Sequence, residues 1–211
     1  MRDMNRNTLL IIIVAVLAAA AGGVIGGKIF APDVPPGLTA GTLLSEPRPL
    51  PDFRMTRHDM ATFTREDFKG NWNLVFFGFT HCPDVCPNTL FLLDRVVKQV
   101  EQGGVEPPGV VFVSVDSVRD TPEAMAKYVK YFNPAFIGLT GDATNLQKLT
   151  QAMSVAYEFR PLEGGDGEDD YTVIHSSAVL LVDPKARLRA IFTPPLRADA
   201  ITGDLVKLIT D

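Results

Sequence analysis

The sequence contains few of the residues on which several classes of protein depend. Its 211 residues include two cysteines, three histidines and one tryptophan, and 20 basic side chains against 25 acidic ones give a net charge of −5. Without Arg2, Asp3, Arg6 and Lys28, the balance beyond residue 28 is 17 basic to 24 acidic side chains, near −7. Such an excess of acid argues against nucleic acid or an anionic membrane surface as partner. Two cysteines are also too few to hold a metal ion alone.

Other absences bear on where the chain resides. No cysteine lies near residue 20, which excludes a lipoprotein anchor, and no internal repeat is visible. No long segment rich in arginine and serine precedes the first apolar run, which favours a bacterial cell envelope over a mitochondrion.

The first apolar run, residues 9–27, carries no charge and as a helix would span roughly 28 Å, close to the thickness of a bilayer core. We predict a transmembrane anchor there, with residues 1–8 in the cytoplasm because Arg2 and Arg6 precede the run. The alternative is a cleaved signal peptide, since Ala18-Ala19-Ala20 resembles a cleavage site, but the run continues past it. The prediction is a single-pass protein of the bacterial inner membrane with its soluble domain in the periplasm.

Residues 28–51 contain six prolines, and we predict an extended tether there. Residues 52–211 then form one domain. Its predicted elements are a hairpin over 53–64, buried strands over 73–79 and 109–115, helices after Pro87, Thr121 and Asp142, a short strand at 136–139, a hairpin over 178–192 and a last helix over 199–209. This order predicts an α/β, thioredoxin-like fold, a mixed sheet with helices on both faces.

The two cysteines are four residues apart, Cys82 and Cys86, directly after the first buried strand. The opening of a helix favours anions, and a cysteine there is acidified toward the thiolate. If both residues are helical they share a face, about 6 Å apart between Cα atoms, so a soft metal, a reversible disulfide or both are open. A purely structural disulfide is disfavoured, because so small a loop constrains the unfolded chain little.

For a metal site, the chain offers three histidines as further ligands. His58 lies in a predicted turn and is expected to be solvated, and His81 is next to Cys82 but points elsewhere. His175 precedes an apolar strand that the fold brings beside the cysteine loop. Taken alone it is an ordinary polar residue at a strand start, but opposite a thiol pair we interpret it as a metal ligand.

The chain resembles the Sco/SenC family, membrane-tethered thioredoxin-like proteins that handle copper for cytochrome c oxidase assembly. The resemblance covers about residues 50–210. The matching stretches are residues 67–70, the run Phe76-Phe77-Gly78-Phe79-Thr80-His81-Cys82-Pro83-Asp84-Val85-Cys86-Pro87, and residues 114–116, 119–123, 138–141 and 175–176. It implies that Cys82, Cys86 and His175 are copper ligands and that Asp116 lies near the site and supports the copper or the thiols.

The chain departs from the family pattern at two places. Ile174 stands before the ligand histidine, where an acidic residue is common, and this change bears on the histidine's hydrogen bonding or on Cu(II) affinity. Lys185-Ala186-Arg187 occupies a hairpin turn that usually contains glycine, a difference we interpret as structural.

The ligand types fit copper in particular. Soft thiolates select Cu(I), whereas imidazole accommodates either oxidation state, so two sulfurs and one nitrogen can hold Cu(I) or Cu(II). Three protein ligands leave an open position for transfer, and oxidation of the thiols to a disulfide would remove both sulfur ligands.

The leading hypothesis is a membrane-anchored copper metallochaperone for the binuclear copper site of a cytochrome c oxidase subunit, with a periplasmic copper donor and a thiol reductant as further partners. The alternative is a periplasmic thiol–disulfide oxidoreductase that reduces the oxidase cysteines, in which Cys82 attacks and Cys86 resolves. Thioredoxin-type reductants place a proline opposite the active cysteine, but none occurs between Tyr171 and Val182. Peroxide reduction is a third chemistry of related folds, and no residue here favours it.

The acidic run at residues 163–170 is interleaved with glycine and predicts a solvated loop. It lacks the spacing and terminal glutamate of a calcium loop. A weaker hypothesis is that its charge helps to dock a basic partner.

Overall fold

The computed structural model describes residues 37–162, 164 and 170–210. Within that part of the chain there are ten strands and four α-helices. The strands are β1 (Gly41–Pro49), β2 (Arg54–Arg57), β3 (Thr62–Thr64), β4 (Asn73–Gly78), β5 (Gly109–Ser114), β6 (Ile137–Thr140), β7 (Tyr157–Pro161), β8 (Tyr171–His175), β9 (Val179–Val182) and β10 (Arg187–Phe192). The helices are α1 (Val85–Gln102), α2 (Pro122–Phe132), α3 (Ala143–Ala152) and α4 (Ala198–Thr210).

Eight of the strands form one mixed sheet in the order β1-β10-β9-β4-β5-β6-β2-β3. The central strands β4, β5 and β6 run parallel, and the other pairs are antiparallel. Because β4 and β5 are parallel neighbours, the loops that follow them open side by side at one end of the sheet.

Helices cover both faces of this sheet, which confirms the thioredoxin-like prediction. Leu74 and Phe76 point to one face, where they lie in a buried cluster with residues of α1, α2 and α4. Val75 and Phe77 alternate to the other face and lie in a cluster with residues of α3 and with Val173 of β8. All six residues of β4 are buried, as expected of a strand that is covered on both faces.

Short-range signals in the sequence fix the predicted starts of two helices and the end of a third. The Thr121 hydroxyl accepts a hydrogen bond from the Ala124 N–H at the start of α2, with Pro122 at the first helical position. Asp142 caps α3 in the same way through the N–H of Asn145. At the end of α1, Gly104 takes the left-handed conformation, with φ of 74°, that glycine adopts without strain.

The predicted tether is wrong over residues 41–49, because β1 pairs antiparallel with β10 at the edge of the sheet. Its prolines are compatible with a strand in that position: an edge strand has one row of N–H groups with no ladder to join. The register also shifts between Leu43 and Arg48, so the proline-containing end follows an irregular pairing. The folded domain therefore includes residues that the proline content alone assigns to a linker.

The beginning of β1 is fixed by a buried acid from the last helix. Asp204, in α4, is 3% exposed, and its carboxylate accepts hydrogen bonds from three successive backbone N–H groups. These belong to Thr39, Ala40 and Gly41, at 2.7, 2.8 and 3.1 Å. Charge-assisted bonds of this kind are stronger than neutral ones, and here they join the two ends of the described fold.

Strands β7 and β8 form a separate two-stranded sheet, a hairpin that sequence reasoning missed. Most of the acidic run at 163–170 connects these strands and lies outside the described residues. The predicted anchor at 9–27 lies outside them too. Among the residues that the structure describes, no helix is both long and apolar enough to cross a membrane.

Candidate metal centre

The two cysteines lie where β4 gives way to α1. Cys86 is the second residue of α1 and is buried, whereas Cys82 lies in the preceding loop and is partly exposed. The two residues do not share a helix face, because α1 begins at Val85 and Cys82 precedes it. Their proximity depends instead on the helix terminus, where the Cys86 N–H donates a hydrogen bond to the Cys82 sulfur at 3.4 Å.

His175 is the last residue of β8 and reaches the same point from a different part of the fold. Its Nε2 lies 3.5 Å from the sulfur of Cys86. The two sulfurs and a ring nitrogen of His175 all lie within 4.8 Å of one another. The structure thus brings together the three residues that the sequence predicts as ligands, although 89 positions separate the histidine from Cys86.

The orientation of the imidazole suits ligation through Nε2. Its Nδ1 lies 3.0 Å from the carbonyl oxygen of Ser176, an acceptor only, so Nδ1 carries the proton and donates it. In that tautomer the lone pair of the ring is on Nε2, on the side of the thiols. The ring packs edge-on against Phe76 and Phe79, with centroid separations of 5.9 and 6.0 Å.

The two thiols differ in acidity because they differ in surroundings. The pKa of Cys82 is lowered to about 3, chiefly by the hydrogen bond from the Cys86 thiol, with further help from the backbone N–H groups of Cys86 and Asp84. The pKa of Cys86 is raised, first by its bond to the Cys82 sulfur and then by burial. Cys82 is therefore the thiolate and Cys86 the thiol of the metal-free pair.

Gly78 is a site residue that sequence reasoning did not single out. A Cβ atom at this position would lie 2.6 Å from the sulfur of Cys86 and 2.7 Å from the ring of Phe112. Neither neighbour can withdraw easily, since Cys86 and Phe112 are both fully buried. The glycine directly before Phe79 therefore makes room for the second thiol, and its place at the end of a buried strand before the cysteines is the signal that could have identified it.

The other two histidines are not brought to the sulfurs. The side chain of His81 is 57% exposed, and its Nδ1 lies 3.2 Å from the Thr80 hydroxyl. His58 is not simply solvated, as the sequence suggested: its Nδ1 accepts a hydrogen bond from the N–H of Gly138 at 3.0 Å, and partial burial lowers its pKa.

Asp116 is fully buried, and its carboxylate is directed toward the β7–β8 hairpin. It accepts hydrogen bonds from the Tyr171 hydroxyl at 2.7 Å and from the Nε of Arg119 at 2.5 Å. Among the hydrogen bonds of the described residues, none joins its carboxylate to a cysteine or to His175. Its supporting role stays a prediction, and these contacts connect it to the site only through Arg119 and Tyr171.

A second buried acid, Asp120, contacts the cysteine loop and was missed. Its carboxylate accepts hydrogen bonds from the Thr80 N–H and hydroxyl and from the Ser114 hydroxyl. The Ser114 oxygen in turn accepts the N–H of Asp116. The only sequence signal was its position in the quoted stretch after β5, because its partners become neighbours only when β4 and β5 pair.

The predicted departures from the family pattern have structural counterparts. Ile174 is 47% exposed and stands opposite Glu158 in the hairpin, so an acidic residue occupies the cross-strand position. Ala186, in the β9–β10 turn, has φ of 56°, the left-handed conformation that favours glycine.

The side chains of Cys82, Cys86 and His175 are placed so that they can bind a soft metal ion or carry out thiol chemistry. Two sulfurs and one imidazole nitrogen match the preferences of copper in either common oxidation state. Structural zinc usually has four protein ligands, and the described residues bring only three together here. A thioredoxin-like domain with this cluster after its first central strand defines a thiol-based metal-binding or redox protein.

The family model described as SCO1/SenC matches residues 44–210. The chain therefore belongs to the SCO1/SenC family, whose members bind copper and take part in cytochrome c oxidase assembly.

Individual relatives agree with this assignment. A protein of Stutzerimonas stutzeri whose name suggests copper binding is 34% identical over 167 residues, 79% of this chain and 80% of that protein. The mitochondrial SCO2 homologue of Bos taurus is 39% identical over 155 residues, but the match spans 73% of this chain and only 57% of that longer protein. The crystal structure of ScoI from Arabidopsis thaliana with copper bound is similar with a TM-score of 0.70 and 31% identity, covering 76% of this chain and 97% of that one. These relatives support the prediction of copper.

Proposed function

We propose that this chain is a membrane-anchored copper metallochaperone that serves the binuclear copper site of a cytochrome c oxidase subunit. The observation that carries the proposal is the meeting of two thiols and one imidazole, with ligand atoms within 4.8 Å of one another, in a member of the SCO1/SenC family. Cys82, Cys86 and His175 are the proposed ligands, and copper is the cargo.

The site suits transfer better than permanent storage. Cys82 and His175 are only partly buried, so a partner's ligand can approach from solvent. A three-ligand set also leaves a position at which an incoming ligand can bind before the outgoing ones leave. Ligand exchange can then move the ion without releasing it into water.

The redox state of the thiols gives a way to control loading. When an external oxidant removes two electrons from the Cys82 thiolate and the Cys86 thiol, and the thiol releases its one proton, the sulfurs form a disulfide and cease to be thiolate ligands. A dithiol reductant would restore the binding form.

The proposed location is the bacterial inner membrane, with the copper domain in the periplasm. The support comes from the uncharged run at residues 9–27 and from Arg2 and Arg6 before it. In an oxidising compartment, the paired thiols would also tend to form a disulfide and would need to be reduced again before binding copper.

The direct test is copper binding by the full-length chain, purified in mild detergent because of its apolar run and kept reduced. We expect one Cu(I) or one Cu(II) per chain. Cys82→Ser or Cys86→Ser should weaken Cu(I) binding more than about 100-fold, the upper end of what loss of an outer partner costs. His175→Ala should weaken Cu(II) binding most, and His81→Ala is the matched control because its ring is next to Cys82 but exposed. Parent-like affinity in His175→Ala would disprove the three-ligand site.

A second experiment addresses delivery. Copper-loaded chain is mixed with the metal-free, reduced soluble domain of an oxidase copper subunit, and the copper on each protein is measured after separation. Transfer that is faster than release to a chelator of similar affinity supports a chaperone. Transfer no faster than release to that chelator contradicts it.

One observation favours a second candidate, reduction of the oxidase cysteines. Cys82 is the accessible thiolate and Cys86 the buried thiol, the division of labour of a thiol–disulfide oxidoreductase. Cys82 would attack a partner disulfide and form a mixed disulfide, and Cys86 would displace the partner thiol, leaving the disulfide on this chain. Rapid copper-free reduction of an unrelated protein disulfide, driven by an added dithiol, would favour this function over carriage.

A further inference from the structure

Strand β8 carries His175 at its end, and it belongs to a hairpin outside the main sheet. Side chains in a strand alternate between faces, so Tyr171, Val173 and His175 lie on one face. Val173 is 5% exposed within the core, whereas Ile174 on the opposite face is 47% exposed. One face of a five-residue strand thus carries the proposed ligand at one end and a tyrosine at the other.

The tyrosine end of β8 is fixed by an arginine from the loop after β5. The Arg119 guanidinium lies 3.7 Å from the centroid of the Tyr171 ring and donates from Nη1 to the Tyr171 carbonyl oxygen at 3.0 Å. The same guanidinium donates from Nε to the fully buried carboxylate of Asp116, which also accepts the Tyr171 hydroxyl. Ring, hydroxyl and backbone of one residue are therefore all held by the Asp116–Arg119 pair.

Arg119 also reaches the packing around the imidazole. Its guanidinium carbon lies 5.8 Å from the centroid of Phe79, the ring that meets His175 edge-on at 6.0 Å. Its side chain is only 13% exposed, so these contacts are made largely away from water. The arginine thus contacts both the strand that carries the histidine and a ring against which the histidine packs.

We propose that Arg119, held by Asp116, is a positioning residue that keeps His175 within reach of the two thiols. This inference rests on the proposed function, since it gives His175 a role as ligand. Lysine cannot replace the arginine, because a single ammonium cannot stack flat on Tyr171 while donating in the two directions that Asp116 and the Tyr171 carbonyl require. The positive charge is the same in both residues, so the exchange changes geometry and leaves net charge unchanged.

The test compares Arg119→Lys with the matched control Arg187→Lys in the full-length chain. Arg187 pairs in the same way with a buried carboxylate, that of Asp183, at the far end of β9 from His175. Arg119→Lys should weaken Cu(II) binding roughly 10- to 100-fold, the usual cost of losing an outer partner of a metal ligand. It should also shift the nitrogen hyperfine pattern in the electron paramagnetic resonance spectrum, and Arg187→Lys should change neither.

Two further measurements separate positioning from a general loss of structure. In metal-free protein, amide hydrogen exchange should become faster in β8 but not in β4 when Arg119 is replaced. In a His175→Ala background, Arg119→Lys should cause no further loss of copper affinity. Tyr171→Phe removes only the hydroxyl bond to Asp116 and should give a smaller effect in the same direction, which keeps the test open if the lysine variant does not fold.

Parent-like copper affinity and β8 exchange in Arg119→Lys would overturn the positioning role and leave the copper function intact. An equal loss of affinity in the His175→Ala background would overturn it too, because the arginine would then act on the thiols or the whole fold. Parent-like copper affinity in His175→Ala would instead contradict the proposed function, and the metal-free exchange would still report whether Arg119 holds β8.

Discussion

The thiols and the imidazole of the candidate site come from parts of the molecule that are built differently. The cysteines follow β4, whose six residues are all buried in the centre of an eight-stranded sheet. The histidine ends β8, one of two strands in a separate hairpin, where Phe159, Leu162 and Ile174 are 46%, 50% and 47% exposed. Two ligands thus follow the rigid, fully buried centre of the sheet, whereas the third ends a hairpin with one exposed side and depends on fewer buried contacts for its position.

Removing one aromatic side chain from each region should reveal the largest difference between them, in the free energy of unfolding. Phe77→Ala empties a fully buried position of β4 and should lower the free energy of unfolding by about 3–5 kcal/mol. Phe159→Ala, in β7, removes a half-exposed ring that contacts Tyr157 and Tyr171, and the loss should stay below about 1 kcal/mol. Denaturant unfolding measures both, and similar losses in the two variants would mean that the exposed side of the hairpin stabilises the fold as much as the buried centre does.

Within the thiol region, the two cysteines should differ in their reactivity toward an alkylating reagent. Because the pKa of Cys82 is lowered to about 3, it stays a thiolate as the pH falls from about 7 to about 5, and its alkylation by iodoacetamide should change little. An ordinary thiol with a pKa of about 8.5 would slow about 100-fold over the same range. Peptide mapping of the metal-free, reduced chain measures both cysteines, and Cys86 should be protected throughout. A steep fall for Cys82 would contradict the assignment of the thiolate.

The smallest expected effect comes from the close packing of Gly78, at the end of β4, against the Cys86 sulfur. Gly78→Ala places a methyl group against the Cys86 sulfur and the Phe112 ring and should destabilise the fold by about 1–3 kcal/mol, with weaker copper binding. Gly203→Ala is the matched control: apart from its chain neighbours and its own helix backbone, no heavy atom lies within 4 Å of an added Cβ, and a helical alanine should stabilise by about 0.5–1 kcal/mol. A harmless Gly78→Ala would mean that the second thiol is free to move, contrary to the rigid centre.

The sequence predicts the parts of the fold that depend on local chemistry. The uninterrupted apolar run of β4 predicts a strand covered on both faces, and Thr121-Pro122 predicts the start of a helix, because these signals act within a few residues. The cysteine spacing and the histidine before an apolar strand predict the three members of the site, although their ligand role stays a prediction.

The features that sequence reasoning missed depend on distant partners. Nothing near Asp120 shows that it receives Thr80, and nothing near Arg119 shows that it stacks on Tyr171, since both contacts arise only when the sheet assembles. The proline-rich residues 41–49 look like a linker because their strand character comes from β10, which lies some 140 positions away. At these residues, pairing with the edge of β10 outweighs the low β-strand propensity of proline.

The hydrogen bonds between the Asp204 carboxylate and the backbone N–H groups of residues 39–41 have a practical consequence for producing the soluble domain. A fragment that starts at residue 52, where the prolines stop, would leave this buried acid facing no amide donors and β10 as an uncovered edge. Such an edge recruits strands from other molecules, so the shorter fragment should precipitate where one that begins at Gly37 stays monodisperse.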